Sequence, residues 1–282
     1  MPKRFPDFSV NYFFPTKRPK VISTRGPKEM KPLLKTVILT ALILTSASGA
    51  AAQTQTDPVK EAQRLTRVAQ VAQQQGRLDD AIKAYQTIAV VAASSPPIAS
   101  GAYVAAGDIY MMMGRFQDAA AAFRKAVALD PQSAEAVNNL GEALGELKQY
   151  QPALQAFQKA VALDPKYLKA RYNMGVTYDR LGQNKYAEFI YRILIREFPN
   201  FPLAYDSLAV ALSKSGRGRE AIPFHEKAIS LVPKEASFYY NFAVSYLMMG
   251  DLRKAQEQQQ KVRSLDPAMA EHLNAVIAKR QR

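Results

Sequence analysis

A proline that recurs every 34 residues constrains the fold of this chain more than any other feature. The prolines are Pro131, Pro165, Pro199, Pro233 and Pro267. A strict period of this size indicates stacked repeat units, each of which buries its apolar face against its neighbours. Alanine follows the same spacing, at Ala119, Ala153, Ala187, Ala221 and Ala255. The sequence therefore predicts an extended binding surface rather than a catalytic pocket.

Six units can be laid out from the prolines, with four extra residues, 96–99, after the first unit. The units are 62–95, 100–133, 134–167, 168–201, 202–235 and 236–269. Each unit carries two runs of apolar residues at helical spacing, separated by a short polar turn. Asp57 and Pro58 are typical of a helix start. The apolar stripe in residues 270–282 predicts a helix that caps the last unit.

The repeated positions resemble a known family. In the third unit they are Val137-x2-Leu140-Gly141-x2-Leu144, then Ala153-x3-Phe157-x2-Ala160, then Pro165. This pattern is similar to the tetratricopeptide repeat, a helix–turn–helix unit of 34 residues. The resemblance covers 62–269 and implies an all-α fold: a right-handed α-solenoid of about six repeats plus a C-terminal capping helix, over 58–282. The units depart from the family pattern at Ala72, Ala93, His225 and Gln259.

Residues 30–52 have the layout of a secretory signal peptide. Lys31 and Lys35 precede an uncharged, mostly apolar run over 36–45, and an Ala-x-Ala site at 50–52 is followed by a linker at 53–57. The run is shorter than the roughly 20 residues that a membrane span requires. We therefore expect export, most simply to a periplasm. Secretion, or tethering to the membrane by an uncleaved signal, are the alternatives.

Residues 1–29 are basic, rich in proline and aromatic residues, and without periodicity. We interpret them as disordered and as lying upstream of a true start at Met30. The alternative is a two-part leader in which these residues form a transit segment.

Composition excludes several functional classes. Residues 1–52 hold nine of the 38 Lys and Arg residues and two of the 24 Asp and Glu residues, which leaves a net charge of +7 for the rest of the +14 chain. That excess is spread along the repeats and does not indicate nucleic-acid binding. The chain has no cysteine and two histidines, so we predict no metal site. Because stacked repeats form an extended surface rather than a catalytic pocket, we also predict no cofactor and no enzymatic activity.

The resemblance implies that the first helix of each unit lines a concave face. Asn139, Asn173 and Asn241 share one position there. An amide can donate and accept at once, so these side chains are predicted to bind the backbone of an extended peptide. Hydrogen bonds between neighbouring repeats are the alternative role.

The other candidate residues divide this face by charge. Its acidic part carries Glu142 and Glu146, which we interpret as a charged strip rather than as a catalytic pair. Methionine side chains adapt to partners of different shape. Tyrosine side chains anchor protein interfaces. We therefore predict a protein partner, a peptide segment or helix with basic and apolar residues. The remaining candidates are Met111, Met112, Lys169, Tyr172, Arg180 and Tyr240.

The alternative function is that of a structural subunit. In that case the convex face or the terminal repeats would bind an envelope assembly or secretion complex.

Overall fold

A computed structural model describes residues 57–281, which form thirteen α-helices and no strand. Twelve of the helices form six antiparallel pairs, and α13 packs against α11 and α12. The predicted solenoid of six repeats with a capping helix is therefore confirmed. The helices are α1 Pro58–Gln74, α2 Leu78–Val91, α3 Pro96–Met112, α4 Phe116–Leu129, α5 Ala134–Glu146, α6 Tyr150–Leu163, α7 Leu168–Arg180, α8 Asn184–Glu197, α9 Pro202–Lys214, α10 Gly218–Leu231, α11 Ala236–Met249, α12 Leu252–Leu265 and α13 Pro267–Gln281.

The turn within each repeat depends on one residue in the left-handed backbone region. A glycine adopts φ between 72° and 80° in five of the six turns, where a side chain would be strained. Lys148 stands in the third turn at φ 59°, a conformation that costs about 1 kcal/mol for a residue other than glycine. In repeat two, the N–H of Arg115 donates to the carbonyl of Tyr110 at 2.9 Å and so satisfies a carbonyl at the end of α3.

Small residues let the two helices of a repeat approach closely. A Cβ added at Gly141 would lie 2.7 Å from the Cε1 atom of Phe157, and one added at Gly107 would lie 2.4 Å from the same atom of Phe123. Both phenylalanines are fully buried. The aromatic ring of the second helix therefore occupies the space that a larger residue in the first helix would need.

The four extra residues after the first unit extend a helix rather than a loop. Pro96 begins α3, so that α3 has 17 residues whereas α5, α7 and α9 have 13 each. Proline is favoured in the first turn of a helix because the N–H groups there have no intrahelical partner. The insertion therefore lengthens the inner wall of repeat two by one turn.

The two helices of each repeat occupy different layers. The first helices of successive repeats, α3, α5, α7, α9 and α11, contact one another. Within residues 57–281 the second helices make no comparable contacts with each other; each packs instead between two first helices. Because the first helices lie closer together, their layer is the concave side and the second helices form the convex side. None of the described helices has both the length and the apolar character to span a bilayer.

Candidate functional site: the concave face

The structure buries most of the candidate side chains of the concave face. Tyr172 and Asn173 are fully buried, and Tyr240, Asn241, Asn139 and Glu142 are at most 6% exposed. Met111, Glu146, Lys169 and Arg180 are half-buried, and Met112 is exposed. Position in the repeat thus predicts which side chains point inward, but the next repeat covers many of them.

The three asparagines form hydrogen bonds between repeats. Asn139 Nδ2 donates to Asp108 Oδ1 at 3.3 Å, and Asn241 Nδ2 donates to Asp206 Oδ2 at 2.6 Å. Asn173 Nδ2 donates to Glu142 Oε1 at 2.9 Å. Each amide therefore bonds to the preceding repeat, as in the alternative role considered for this position. The Asn173 Oδ1 atom is buried and has no hydrogen-bond partner among the described residues.

Glu142 connects repeats three and four. Its Oε1 atom accepts from Asn138 Nδ2 at 2.7 Å and from Asn173 Nδ2 at 2.9 Å, and lies 2.8 Å from Lys169 Nζ. The Glu142 side chain is 8% exposed, whereas that of Lys169 is 31% exposed. A buried carboxylate is tolerated only when it is paired and hydrogen-bonded. Both conditions are met here, so in this arrangement Glu142 stabilises the scaffold.

The two candidate tyrosines also contact neighbouring repeats. The Tyr172 hydroxyl lies 3.0 Å from Ser207 Oγ, and the Tyr172 ring meets Phe201 edge-on at 5.3 Å. The Tyr240 hydroxyl lies 2.8 Å from His272 Nδ1 in α13. Burial raises the pKa of both phenols. They pack inside the solenoid and are not exposed to a partner in this arrangement.

We call these contacts the inter-repeat ladder. It joins the first helices along the concave side. One pair of polar side chains links each two successive units from repeat two to the capping helix α13. Its members are Asp108–Asn139, Glu142–Asn173, Tyr172–Ser207, Asp206–Asn241 and Tyr240–His272.

A buried network around His225 joins repeats five and six. His225 Nδ1 lies 3.0 Å from Asp206 Oδ1, and its Nε2 lies 2.8 Å from Ser245 Oγ, which accepts from Ser213 Oγ at 2.9 Å. Burial raises the pKa of Asp206, and hydrogen bonds from His225 and Asn241 oppose that rise.

Sequence reasoning noted His225 as a departure from the aromatic residue of the repeat but did not find this network. The serine–histidine–aspartate order resembles that of a nucleophile and its base. However, Ser245 is 2% exposed and His225 is fully buried. The network therefore bonds two repeats together in this structure and presents no nucleophile at the surface.

The surface that the concave face offers to a partner in repeats two and three is acidic and includes one exposed methionine, Met112. Asp108, Met112 and Glu135 are exposed there, while Met111 packs against the cluster formed by α4 and α5. Partial burial raises the pKa of Asp108, Lys169 opposes the rise, and the nearby carboxylates Glu135 and Glu142 add to it, so that the pKa lies at about 6. Because Asp108 keeps contact with solvent, water screens part of this effect. Lys169 therefore neutralises only part of the negative charge of Asp108, Glu135 and Glu142.

The basic residues of the later repeats are partly neutralised. Lys214 Nζ lies 2.6 Å from Asp179 Oδ2, and Lys169 binds Glu142. Two of the cations of repeats four and five therefore bind the scaffold's own carboxylates. The Asp179 Oδ1 atom is buried and lacks a hydrogen-bond partner in the described chain.

The fold and this face together define a class, the α-solenoid scaffold that binds proteins. The sequence comparisons place the chain within that class. Models described as tetratricopeptide repeat match residues 104–167, 146–211, 204–237 and 226–257. The chain belongs to the tetratricopeptide-repeat family. No curated protein matches it significantly in sequence.

Solved structures agree with this assignment. The MamA protein is 30% identical, with 63% of this chain and 95% of that chain covered and a TM-score of 0.54. A tetratricopeptide repeat protein from Parabacteroides merdae ATCC 43184 is 20% identical, with 79% and 87% covered and a TM-score of 0.70. PilW, described as a type IV pilus biogenesis factor, is 24% identical, with 77% and 98% covered and a TM-score of 0.64. The last two similarities concern the fold alone.

Proposed function

We propose that this protein is an exported, non-catalytic scaffold that binds a basic and apolar protein segment on its concave face. The observation that carries the proposal is the exposed acidic surface of repeats two and three, where Asp108 and Glu135 lie beside Met112. The pKa of Asp108 is raised first by partial burial, and the nearby carboxylates Glu135 and Glu142 add electrostatic repulsion. A cationic side chain of a partner would relieve that repulsion, and methionine adapts to apolar side chains of different shapes.

Burial supports a smaller set of contact residues for such a segment. Tyr172, Asn173 and Tyr240 are buried in contacts between repeats, and their substitution would disturb the fold along with any binding. Exposed residues provide a cleaner test, and asparagine at position 108 keeps an oxygen that can accept from Asn139. We assign contact with the partner to Asp108, Glu135 and Met112, with Glu146 and Arg180 at the edge of the same face.

The test uses a fluorescently labelled peptide in which lysine alternates with leucine, and a matched peptide with glutamate in place of lysine. We expect the lysine peptide to bind and the glutamate peptide not to bind, as measured by fluorescence anisotropy. The double variant Asp108→Asn, Glu135→Gln should weaken binding roughly tenfold, since it removes two carboxylates from the contact. Added salt should weaken it further.

The control variant is Glu226→Gln, Glu257→Gln, which removes two exposed carboxylates from the convex side. It has the same net charge as the concave variant, so it should bind the lysine peptide as the unmodified protein does. Equal binding of the two peptides, or an equal loss in both variants, would contradict the proposal.

Export is supported by the layout of residues 30–52, which lie outside the described part of the chain. That layout ends at Ala52, so we propose that the mature protein begins at Gln53.

A further inference from the structure

Helix α8 carries an apolar stripe on its solvent-facing side. Tyr186 is 62% exposed and Phe189 is 64% exposed, and Ile193 lies half-buried one turn further on. Spacings of three and four residues place all three on one face, over about 10 Å of helix. The Tyr186 ring stacks on Tyr178 with 5.3 Å between centroids, and the Tyr178 hydroxyl accepts from Gln158 at 3.1 Å. We call Tyr186, Phe189 and Ile193 the α8 ridge.

The other five repeats show that the scaffold does not need these apolar residues. The corresponding positions in the other second helices hold charged residues, polar residues, proline or alanine. In place of Tyr186 the other helices have Asp80, Asp118, Pro152, Glu220 and Lys254. In place of Phe189 they have Lys83, Ala121, Gln155, Pro223 and Glu257. The packing of the repeats therefore does not require apolar residues at these positions.

Cations surround the ridge. Lys185 and Arg196 lie on the same helix, and Lys159 and Lys227 stand at the position of Ile193 on the flanking helices α6 and α10. All four are exposed, and none forms an ion pair with another described residue.

The other charges on this side are largely neutralised. Arg192 binds Glu188 at 2.8 Å, and Glu197 binds Arg171 at 2.6 Å. Glu226 is an exposed acid on α10. The surroundings of the ridge therefore carry an excess of positive charge.

The shape of this surface selects among possible partners. The ridge lies on the convex side, opposite the acidic concave face. The cations around the ridge are spread over the three outer helices α6, α8 and α10, which is broader than a groove that holds one helix. A protein partner would need a matching groove, whereas a bilayer is deformable and offers anionic groups over a broad surface.

We propose that the α8 ridge docks this protein on an anionic lipid bilayer. Phe189 and Ile193 enter the boundary between headgroups and acyl chains, and Tyr186 places its hydroxyl at the headgroups. Lys159, Lys185, Arg196 and Lys227 bind lipid phosphates. The concave face then points away from the membrane and stays open to its partner.

The chain has no tryptophan, which allows a site-specific reporter. Phe189→Trp in the full chain should show a blue-shifted emission with vesicles of equal parts phosphatidylglycerol and phosphatidylcholine, and no shift with pure phosphatidylcholine. Val90→Trp is the control, because Val90 is an exposed apolar residue on α2 in repeat one, at 73% exposure. Its emission should not shift. Binding through the leader would not favour position 189 over position 90.

Charge variants test the cations. Lys185→Glu with Arg196→Glu should lower the partition coefficient on the mixed vesicles roughly 30-fold or more, because each cation near an anionic surface contributes about 1 kcal/mol. Lys83→Glu with Lys261→Glu makes the same change in net charge on other outer helices and should have a much smaller effect. Tyr186→Ser with Phe189→Ser should lower partition roughly tenfold. All these side chains are exposed, and thermal melting checks that the fold is kept.

Three results would overturn the proposal. The first is equal shifts at positions 90 and 189, or no shift at either. The second is an equal effect of the two charge-reversed variants. The third is concentration-dependent self-association without lipid that is lost in Tyr186→Ser with Phe189→Ser, which would make the ridge a protein contact. Peptide binding by the concave face is measured without vesicles, so either proposal can fail without the other.

Discussion

Replacing Glu142 by glutamine should loosen the junction between repeats three and four. One oxygen of Glu142 accepts two amide hydrogen bonds and contacts Lys169 Nζ, all within 2.9 Å. Glutamine keeps the shape of the side chain but removes its charge. Hydrogen bonds to a charged group contribute about 1.5–3 kcal/mol, against about 0.5–1.5 kcal/mol for neutral ones. Three weakened contacts would thus cost about 3 kcal/mol.

Two effects reduce that cost. The Lys169 side chain is 31% exposed, so solvent screens its share. A neutral side chain is also easier to bury than a carboxylate. We expect a net destabilisation of about 2 kcal/mol.

Urea unfolding followed by circular dichroism would measure the change in the free energy of unfolding. Hydrogen exchange with mass spectrometry would locate it, since repeat arrays can unfold in parts. Faster exchange should be confined to α5 and α7. Glu135→Gln is the matched control, because Glu135 is exposed on the same helix and its substitution should change stability by less than about 0.5 kcal/mol. Equal stability of the two variants, or faster exchange elsewhere, would refute the reasoning.

Two further predictions concern Asp108 and export. The pKa of Asp108 is raised to about 6 in the folded protein, against about 3.9 in the unfolded chain. The folded state therefore favours the protonated carboxyl. Its contribution to the free energy of unfolding is complete below pH 4 and is lost as the pH rises through 6. Asp108→Asn should therefore be more stable than the unmodified protein at pH 7, by about 1 kcal/mol or less after screening. Urea unfolding at several pH values should show this gap closing between pH 6 and pH 4, and a constant gap would exclude the titration. For export, the mature protein should begin at Gln53 by intact mass, and retention of residues 30–52 would indicate an uncleaved tether.

The fold followed from the sequence because the features that define it are local and repeated. Proline, glycine and alanine at fixed positions report turns and helix crossings that depend on residues within one unit. The structure of residues Pro96 to Ala99 could not be predicted in this way. The 34-residue register marked them as an insertion, but only the path of the chain shows that they add a turn to α3.

The candidate site was less predictable, because burial at the concave face depends on the following repeat. Tyr172 and Lys169 stand on the inward-facing helix of the same repeat, yet one is fully buried and the other is half-buried. The difference arises from Phe201, at the end of the same repeat, and Ser207 in repeat five, which cover the tyrosine. A helical period describes the faces of one unit and does not report the depth to which the next unit covers them.

The α8 ridge could be found by comparing the second helices of the six units. Phe189 aligns with residues that are mostly polar or small, and this contrast is present in the sequence alone. The resemblance to the repeat family directs candidate residues to the concave side, so this contrast on the convex side was not among the predictions. The sequence indicates only one member of the network at His225. The histidine departs from the repeat, but its partners Asp206 and Ser245 lie about twenty residues away on either side.

The inter-repeat ladder makes the resistance of the solenoid to bending depend on the direction of the force. Its bonds lie along the concave side, so a force that straightens the molecule would load them directly, whereas a force that tightens the curvature would compress helices already in contact. The first junction differs, since its side-chain links run from Arg115 to Asp79 and from Gln86 to Tyr110. We expect repeat one to bend most easily against the rest. A protein held at a surface would thus have a compliant N-terminal end and a stiff body.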